Sequence, residues 1–500
     1  MEDDAESQPH RRQKPPPRAM AALLGLLLLV NLSASLYQLP LNRVVERRLC
    51  QKYYSQHDPS VIGPNGDIDE KLCKADPIQA GLGRIQGAMD TEWIVGDFVM
   101  TIPLGFVAEK YGRRALLWLN LVPRVFMLSW AVIVGHFDQL LPTDAIVAGP
   151  ALSFLGGDCV FNSITYSLAA GITDDYVLRA SYFGYMSSIT YVVNLLGPAL
   201  ASASMTLLLW LPFWIGITLL GFAIPIISML PDQNTAKDQR DEQSQPLLSS
   251  PLLKAQDSRP TILRSVMNRF HALRVALASH PWNFSLLLAC FFLASLGSSD
   301  TKLLVQYISK RYQWTFASAG YLLSGKAVVN FVLLTVVVPQ VLRSAMVAGG
   351  SNGVPSVNSD CINVRCAKLC FGVSILGAAA IAVSTAIWLL LPALLVYALG
   401  SALPIFTLSL LKSPAICSPG ADDIEDDGRD SSSPGADSQT HIFSIVMLVK
   451  TLGSLLGAPL MAFLWVRGIG LGGAALGMPY FVSAGCYAAA IFVFCQIEID

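Results

Sequence analysis

The chain carries about twelve mostly apolar stretches, each about 20 residues long. As a helix, such a stretch matches the hydrocarbon thickness of a bilayer. Inside lipid every backbone N–H and C=O needs a partner within the protein, so only helices and closed barrels cross. Barrel strands alternate apolar and polar residues, and these stretches do not. The expected class is therefore all-α integral membrane, with twelve transmembrane helices. Composition agrees, since only 14% of residues are charged where a soluble domain has about a quarter.

The spans are expected at about 19–39, 88–108, 115–135, 145–170, 180–203 and 205–230, then at 284–306, 316–338, 368–388, 390–412, 441–465 and 474–496. Residues 1–18, with Pro15-Pro16-Pro17, read as a disordered cytoplasmic tail. A large outer loop is expected at 40–87, a polar cytoplasmic linker at 231–282 and an acidic inner loop at 413–438. The chain thus divides into an N-terminal six-helix half, 19–230, and a C-terminal six-helix half, 283–500. A weak internal echo supports two pseudo-symmetric halves. Val193-Asn194-Leu195-Leu196-Gly197-Pro198-Ala199-Leu200 resembles Gly453-Ser454-Leu455-Leu456-Gly457-Ala458-Pro459-Leu460 at the equivalent span.

Lys and Arg favour the cytoplasmic flanks of spans. The tail, the Lys110–Arg114 hinge and the 231–282 linker are basic, so both termini are expected in the cytosol. The apolar run after Arg18 is too long for a cleavable signal peptide. Of the ten cysteines only Cys50 and Cys73 share the large outer loop. They are candidates for a disulfide, with free thiols the alternative. Cys361, Cys366 and Cys417 are expected in inner loops. A net charge of −1 gives no reason to expect nucleic acid. There is no phosphate-binding loop and no cysteine–histidine group at metal spacing. No cofactor or metal is expected, and the chain is expected to act as a monomer.

One run between the second and third spans is sharper than the rest: Gly105-Phe106-Val107-Ala108-Glu109-Lys110-Tyr111-Gly112-Arg113-Arg114. Its glycines permit close approach of helix ends, and Glu109 and Arg113 at i, i+4 can pair. The run resembles the signature of the major facilitator superfamily, G-x-L-A-D-R-x-G-R-R, with Glu109 in place of Asp and Lys110 in place of Arg. The resemblance implies two parallel six-helix halves around a midplane site. It also implies a gating role for Gly105, Glu109, Gly112, Arg113 and Arg114. Gly197 and Pro198 are similar to a second signature, G-P-x-x-G-G, although Ala201 and Ser202 replace its last glycines. A packing role and a gating role both remain open there. Gly156-Gly157-Asp158-Cys159-Val160-Phe161 and Leu303–Arg311 look like a filamentous-fungal branch that accompanies secondary-metabolite clusters.

Charge at mid-span is costly and normally faces a cavity or a partner. Asp97, Arg124, Asp158, Lys326 and Lys450 are expected near mid-depth. Asp158, Asn162 and Tyr166 recur every four residues and share a helix face, as do Lys326 and Asn330. These five are the candidate substrate-cavity residues. Asp97 and Asp158 are the candidates for proton coupling, because a sequestered carboxyl can load and release a proton. A static ion pair with Arg124 is the competing reading of either acid. The expected function is secondary active transport, with proton-coupled efflux of a small organic compound such as a fungal metabolite. A proton-coupled nutrient importer and a membrane sensor on a transporter fold are the alternatives. The expected partners are a small-molecule substrate, protons and the bilayer, and the expected location is the plasma membrane, with the vacuolar membrane as alternative.

Overall fold

The computed structural model describes residues 17–63, 67–137, 140–172, 176–230, 281–337, 340, 355–410 and 434–497. The tail up to residue 16, most of the linker and most of the acidic loop lie outside the described residues. So do the side chains of Glu109 and Lys110. Among the described residues every regular element is helical.

The first half comprises α1 (Pro17–His57), α2 (Asp76–Tyr111), α3 (Arg113–His136), a 3-10 segment (Thr143–Leu155), α4 (Asp158–Ile172), α5 (Tyr176–Leu207) and α6 (Leu211–Met229). The second comprises α7 (Pro281–Ser298), a 3-10 turn, α8 (Leu304–Tyr312), α9 (Phe316–Val332), α10 (Pro355–Val383), α11 (Ile387–Leu399), α12 (Leu403–Leu410), α13 (Pro434–Leu471) and α14 (Met478–Phe494). Ten helical segments are long and apolar enough to cross a membrane. The long α2, with Asp90, Glu92 and Asp97, and the shorter apolar segment Ile387–Ala402 are two more helical segments.

Periodicity sets what each helix buries. On α1, Leu23, Leu26, Leu27 and Val30 fall at i, i+3, i+4 and i+7 and are all buried. The helix packs against α5 and α6. The halves meet along two seams, α2 with α13 and α5 with α9. Small residues make these seams. A Cβ on Gly87 would lie 2.3 Å from the Cβ of Ala462, and one on Gly320 would lie 2.2 Å from Ser202 Oγ. The internal echo has a packing counterpart. Gly197 of α5 presses on Ser35 of α1, and Gly457 of α13 presses on Ser299 just beyond α7.

Several boundaries differ from expectation. The expected outer loop 40–87 is mostly helix, because α1 runs to His57 and α2 begins at Asp76. Some of its charges are withdrawn from solvent. Glu46 and Lys74 are buried and paired at 2.6 Å. Cys361 and Cys366 lie in α10, which starts at Pro355, and not in an inner loop. The fourth span is not one helix. It breaks at Gly156-Gly157 between the 3-10 segment and α4.

The packing gives a test by thermal unfolding of the purified protein. Gly87→Val should lower the melting temperature, because overpacking a tight seam costs about 1–3 kcal/mol. Gly105→Ala should leave it unchanged or raise it, since a Cβ there meets nothing within 4 Å.

Candidate transport site

The break in span four organises the site. Gly156 has φ +151°, a value that L side chains avoid. A Cβ on Gly156 would lie 2.5 Å from Asn120 Nδ2, and one on Gly157 2.3 Å from Asp97 Cγ. Two residues without side chains thus let α2 and α3 bring polar groups against the broken backbone. The start of α4 exposes N–H groups with no helical partner. The Asp97 carboxylate accepts from the Cys159 N–H at 2.8 Å and faces that of Val160 at 3.5 Å. An anion at a helix N-terminus is favoured by the helix dipole. Asn120 Nδ2 donates to the Gly157 carbonyl at 3.0 Å.

A second layer surrounds this one. Arg124 Nε donates to Asn120 Oδ1 at 3.1 Å, and its Nη2 pairs with Asp158 Oδ1 at 2.7 Å. Trp93 Nε1 donates to the other Asp158 oxygen at 3.1 Å. The guanidinium also lies 5.3 Å from the Phe161 ring and 5.7 Å from the Trp93 ring, within cation–π range. Only 5% of the Arg124 side chain is exposed, against 59% for Asp158. The cation is therefore sealed in the half, and the acid faces open space.

Asp158, Asn162 and Tyr166 are all exposed along α4. Tyr166 meets Phe183 edge-on at 5.5 Å. Lys326 and Asn330 sit in the other half. The Lys326 ammonium lies 5.0 Å from the centre of the Tyr397 ring. Tyr397 in turn donates to Asp300 Oδ1 at 2.8 Å, and Asp300 is fully buried. The Asn330 oxygen is buried with no hydrogen-bond partner among the described residues. The expected cavity residues thus fall into two clusters, one per half. Trp93, Asn120 and Tyr397 complete them. The sequence signal for the first two is spacing, with Trp93 four residues before Asp97 and Asn120 four before Arg124, and Tyr397 carries none.

The other expected residues are spread more widely. Gly112, at φ +91°, turns the chain between α2 and α3. Arg113 donates to the Ser167 carbonyl at 3.2 Å. Arg114 donates to the carbonyls of Ile227, Ser228 and Leu230 at the end of α6. These arginines bind the ends of helices within their own half. The expected Glu109–Arg113 pair lies outside the described residues. Pro198 lies inside α5, and its carbonyl is 3.4 Å from where a Gly320 Cβ would be. A disulfide joins Cys50 and Cys73.

The sequence profile of the Major Facilitator Superfamily matches residues 74–415. The chain belongs to the major facilitator superfamily. The MFS efflux pump atnC of Emericella nidulans is 25% identical over 495 residues, covering 97% of this chain and 90% of that protein. The efflux pump ustT of Aspergillus flavus is 25% identical over 334 residues, covering 65% of this chain and 62% of that one. The crystal structure of a D-xylose-proton symporter superposes with TM-score 0.57 at 12% identity, covering 96% of this chain and 97% of that one. This superfamily member is a multi-span membrane transporter of small molecules and not an enzyme.

A double-mutant cycle tests the central pair of the transporter. Arg124→Met and Asp158→Asn should each lower thermal stability, and the double variant should lose less than their sum. The coupling should be about 0.5–3 kcal/mol. Strict additivity would mean that the two charges do not support one another.

Proposed function

We propose that this transporter exports a small organic compound in exchange for protons, with Asp97 as the proton-exchanging group. The observation that supports this assignment is the pairing pattern of the two acids. Asp158 already meets Arg124 and Trp93, whereas Asp97 meets backbone N–H groups and, among the described residues, no cation within ion-pair distance. A charged acceptor makes hydrogen bonds about twice as strong as a neutral one. Protonating Asp97 therefore loosens the start of α4, and deprotonation fastens it again. Proton binding is thereby coupled to movement of the half of span four that carries Asp158, Asn162 and Tyr166. Asp158 then serves as the fixed counter-charge of Arg124.

Export is supported by the relatives named efflux pumps. The substrate would lie against the exposed face of α4, with Lys326 and Asn330 as polar contacts from the opposite half. A mostly apolar ligand with a few polar groups suits such a surface. The Cys50–Cys73 bridge supports the orientation, because disulfides persist in oxidising compartments. The end that carries it would face outside, both termini would be cytosolic, and the plasma membrane is the proposed location. The protein would work as a monomer.

Vesicle assays with a panel of compounds, with and without an imposed pH gradient, test the function. Asp97→Asn should abolish gradient-driven accumulation but retain substrate exchange at equal pH. Asp158→Asn should retain pH dependence at reduced rate. Asn162→Ala and Tyr166→Phe should weaken substrate affinity by about 1–3 kcal/mol. Full pH-dependent flux in Asp97→Asn would remove Asp97 from the coupling step. Epitope tags at Ala5 and Glu425 should resist external protease in intact cells, and cleavage of either would reverse the orientation.

A further inference from the structure

We propose that residues 67–75 are a latch, fixed to the N-terminal half by the Cys50–Cys73 bridge, that holds the outer end of the transporter shut through polar contacts with the C-terminal half. The latch gives a means of alternating access and so rests on the transport reading above. Its geometry stands apart from that reading.

The attachment to its own half is strong. Glu46 of α1 is fully buried and accepts from Lys74 Nζ and Gln79 Nε2, each at 2.6 Å, and from Arg43 at 2.9 Å. Cys50, one helical turn beyond Glu46, is bonded to Cys73. A covalent bond and a buried ion pair thus grip neighbouring residues of the strap from one face of α1. Gln79 also donates to the Cys73 carbonyl at 3.0 Å. Removing one partner of a buried pair leaves an uncompensated charge, so this side does not separate readily.

The contacts with the other half are of a different kind. Glu70 accepts from the Phe316 N–H at 2.8 Å, capping the first turn of α9. The Lys74 ammonium lies 4.3 Å from the centre of the Phe316 ring. Lys310 of α8 donates to the Lys74 carbonyl and pairs with Asp76 at 2.5 Å. Just beneath, Gln306 Nε2 donates to Asn42 Oδ1 at 3.0 Å. These are single hydrogen bonds, one cation–π contact and one ion pair with an exposed acid, which water replaces at modest net cost. If the two halves part at this end, they part along this line. The strap leaves with the N-terminal half, and the same contacts re-form on closure.

A latch predicts a change at both ends of the molecule, whereas a local brace predicts a change only at the strap. Hydrogen–deuterium exchange of the full chain in lipid nanodiscs separates them without any substrate. The variants are Lys310→Ala and Glu70→Ala, with the disulfide intact, and the Cys50→Ser/Cys73→Ser pair. In each, peptides covering 304–316 should exchange about tenfold faster, as expected for loss of a charge-assisted contact. Peptides at the opposite end, around Arg114 and Leu230, should exchange more slowly as the population shifts. Faster exchange confined to 67–75, or at 304–316 with no protection at the opposite end, would overturn the latch. Should the cysteine pair fail to fold, the two single variants still decide. A latch that behaves as expected in a protein showing no proton-driven flux would leave the latch standing and refute the coupling assignment alone.

Discussion

A helix broken in mid-membrane exposes backbone groups that lipid cannot satisfy, and Asp97 and Asn120 answer those of span four. Much of the N-terminal half follows from that constraint. Glycines must stand at the break, because side chains at 156 or 157 would occupy the space taken by Asn120 and Asp97. Asn120 presents its amide nitrogen to the break only while Arg124 holds its oxygen. Arg124 is buried and needs an anion, which Asp158 supplies as the first residue of the new helix. The break, its two caps and the ion pair are one interlocked unit.

The all-α membrane class was legible because hydropathy over about 20 residues is a strong signal, and ten of the expected spans overlap a helical segment long and apolar enough to cross. The hinge run also read correctly as a link between two helices, since Gly112 takes a positive φ. What misled was polarity. Arg43, Glu46, Arg47 and Arg48 look like loop residues, yet they lie on a continuous α1. Glu46 is matched by Lys74 and Arg47 by Asp67, 28 and 20 positions away, and Arg48 donates to the distant carbonyls of Val134 and Leu141, which no local window detects. The spacing of Asp158, Asn162 and Tyr166 correctly put them on one helix face. The break just before Asp158 was missed, because a Gly-Gly pair within an apolar run reads equally well as a packing site. The i, i+4 reading of Lys326 and Asn330 held as a shared helix, but nothing in the sequence pointed to Tyr397 beneath the lysine.

The two halves use the same kinds of group in different arrangements. In the first, base and acid touch, as Arg124 meets Asp158 at 2.7 Å. In the second, a tyrosine stands between them, with its ring facing Lys326 and its hydroxyl on Asp300. The other Asp300 oxygen has no hydrogen-bond partner among the described residues. Pseudo-symmetry of packing therefore coexists with asymmetry of chemistry. Gly197 on Ser35 and Gly457 on Ser299 repeat the scaffold, while the polar groups that face the space between the halves do not repeat. Repeated packing fixes the shape of the two walls, and unlike side chains make the walls chemically distinct.

The seams between the halves bear on motion as well as stability. Where α2 meets α13, Gly83 and Gly87 bring the α2 backbone against Trp465 and Ala462. Where α5 meets α9, Gly320 lies against Ser202. Contacts of this kind gain dispersion energy from close approach, and the glycines and small side chains at them leave the facing backbones near one another. A tilt of one half against the other then needs little repacking at the seam. The contacts that must break are the directional polar ones near one end, Lys310 with Asp76, Glu70 with Phe316 and Gln306 with Asn42. Lys302 adds an ion pair with Asp90 at 3.5 Å, deeper along the same interface. A bundle with smooth seams and a polar clasp concentrates its two-state character in a small set of hydrogen bonds. Modest differences in those bonds are then enough to set which end of the transporter stays closed.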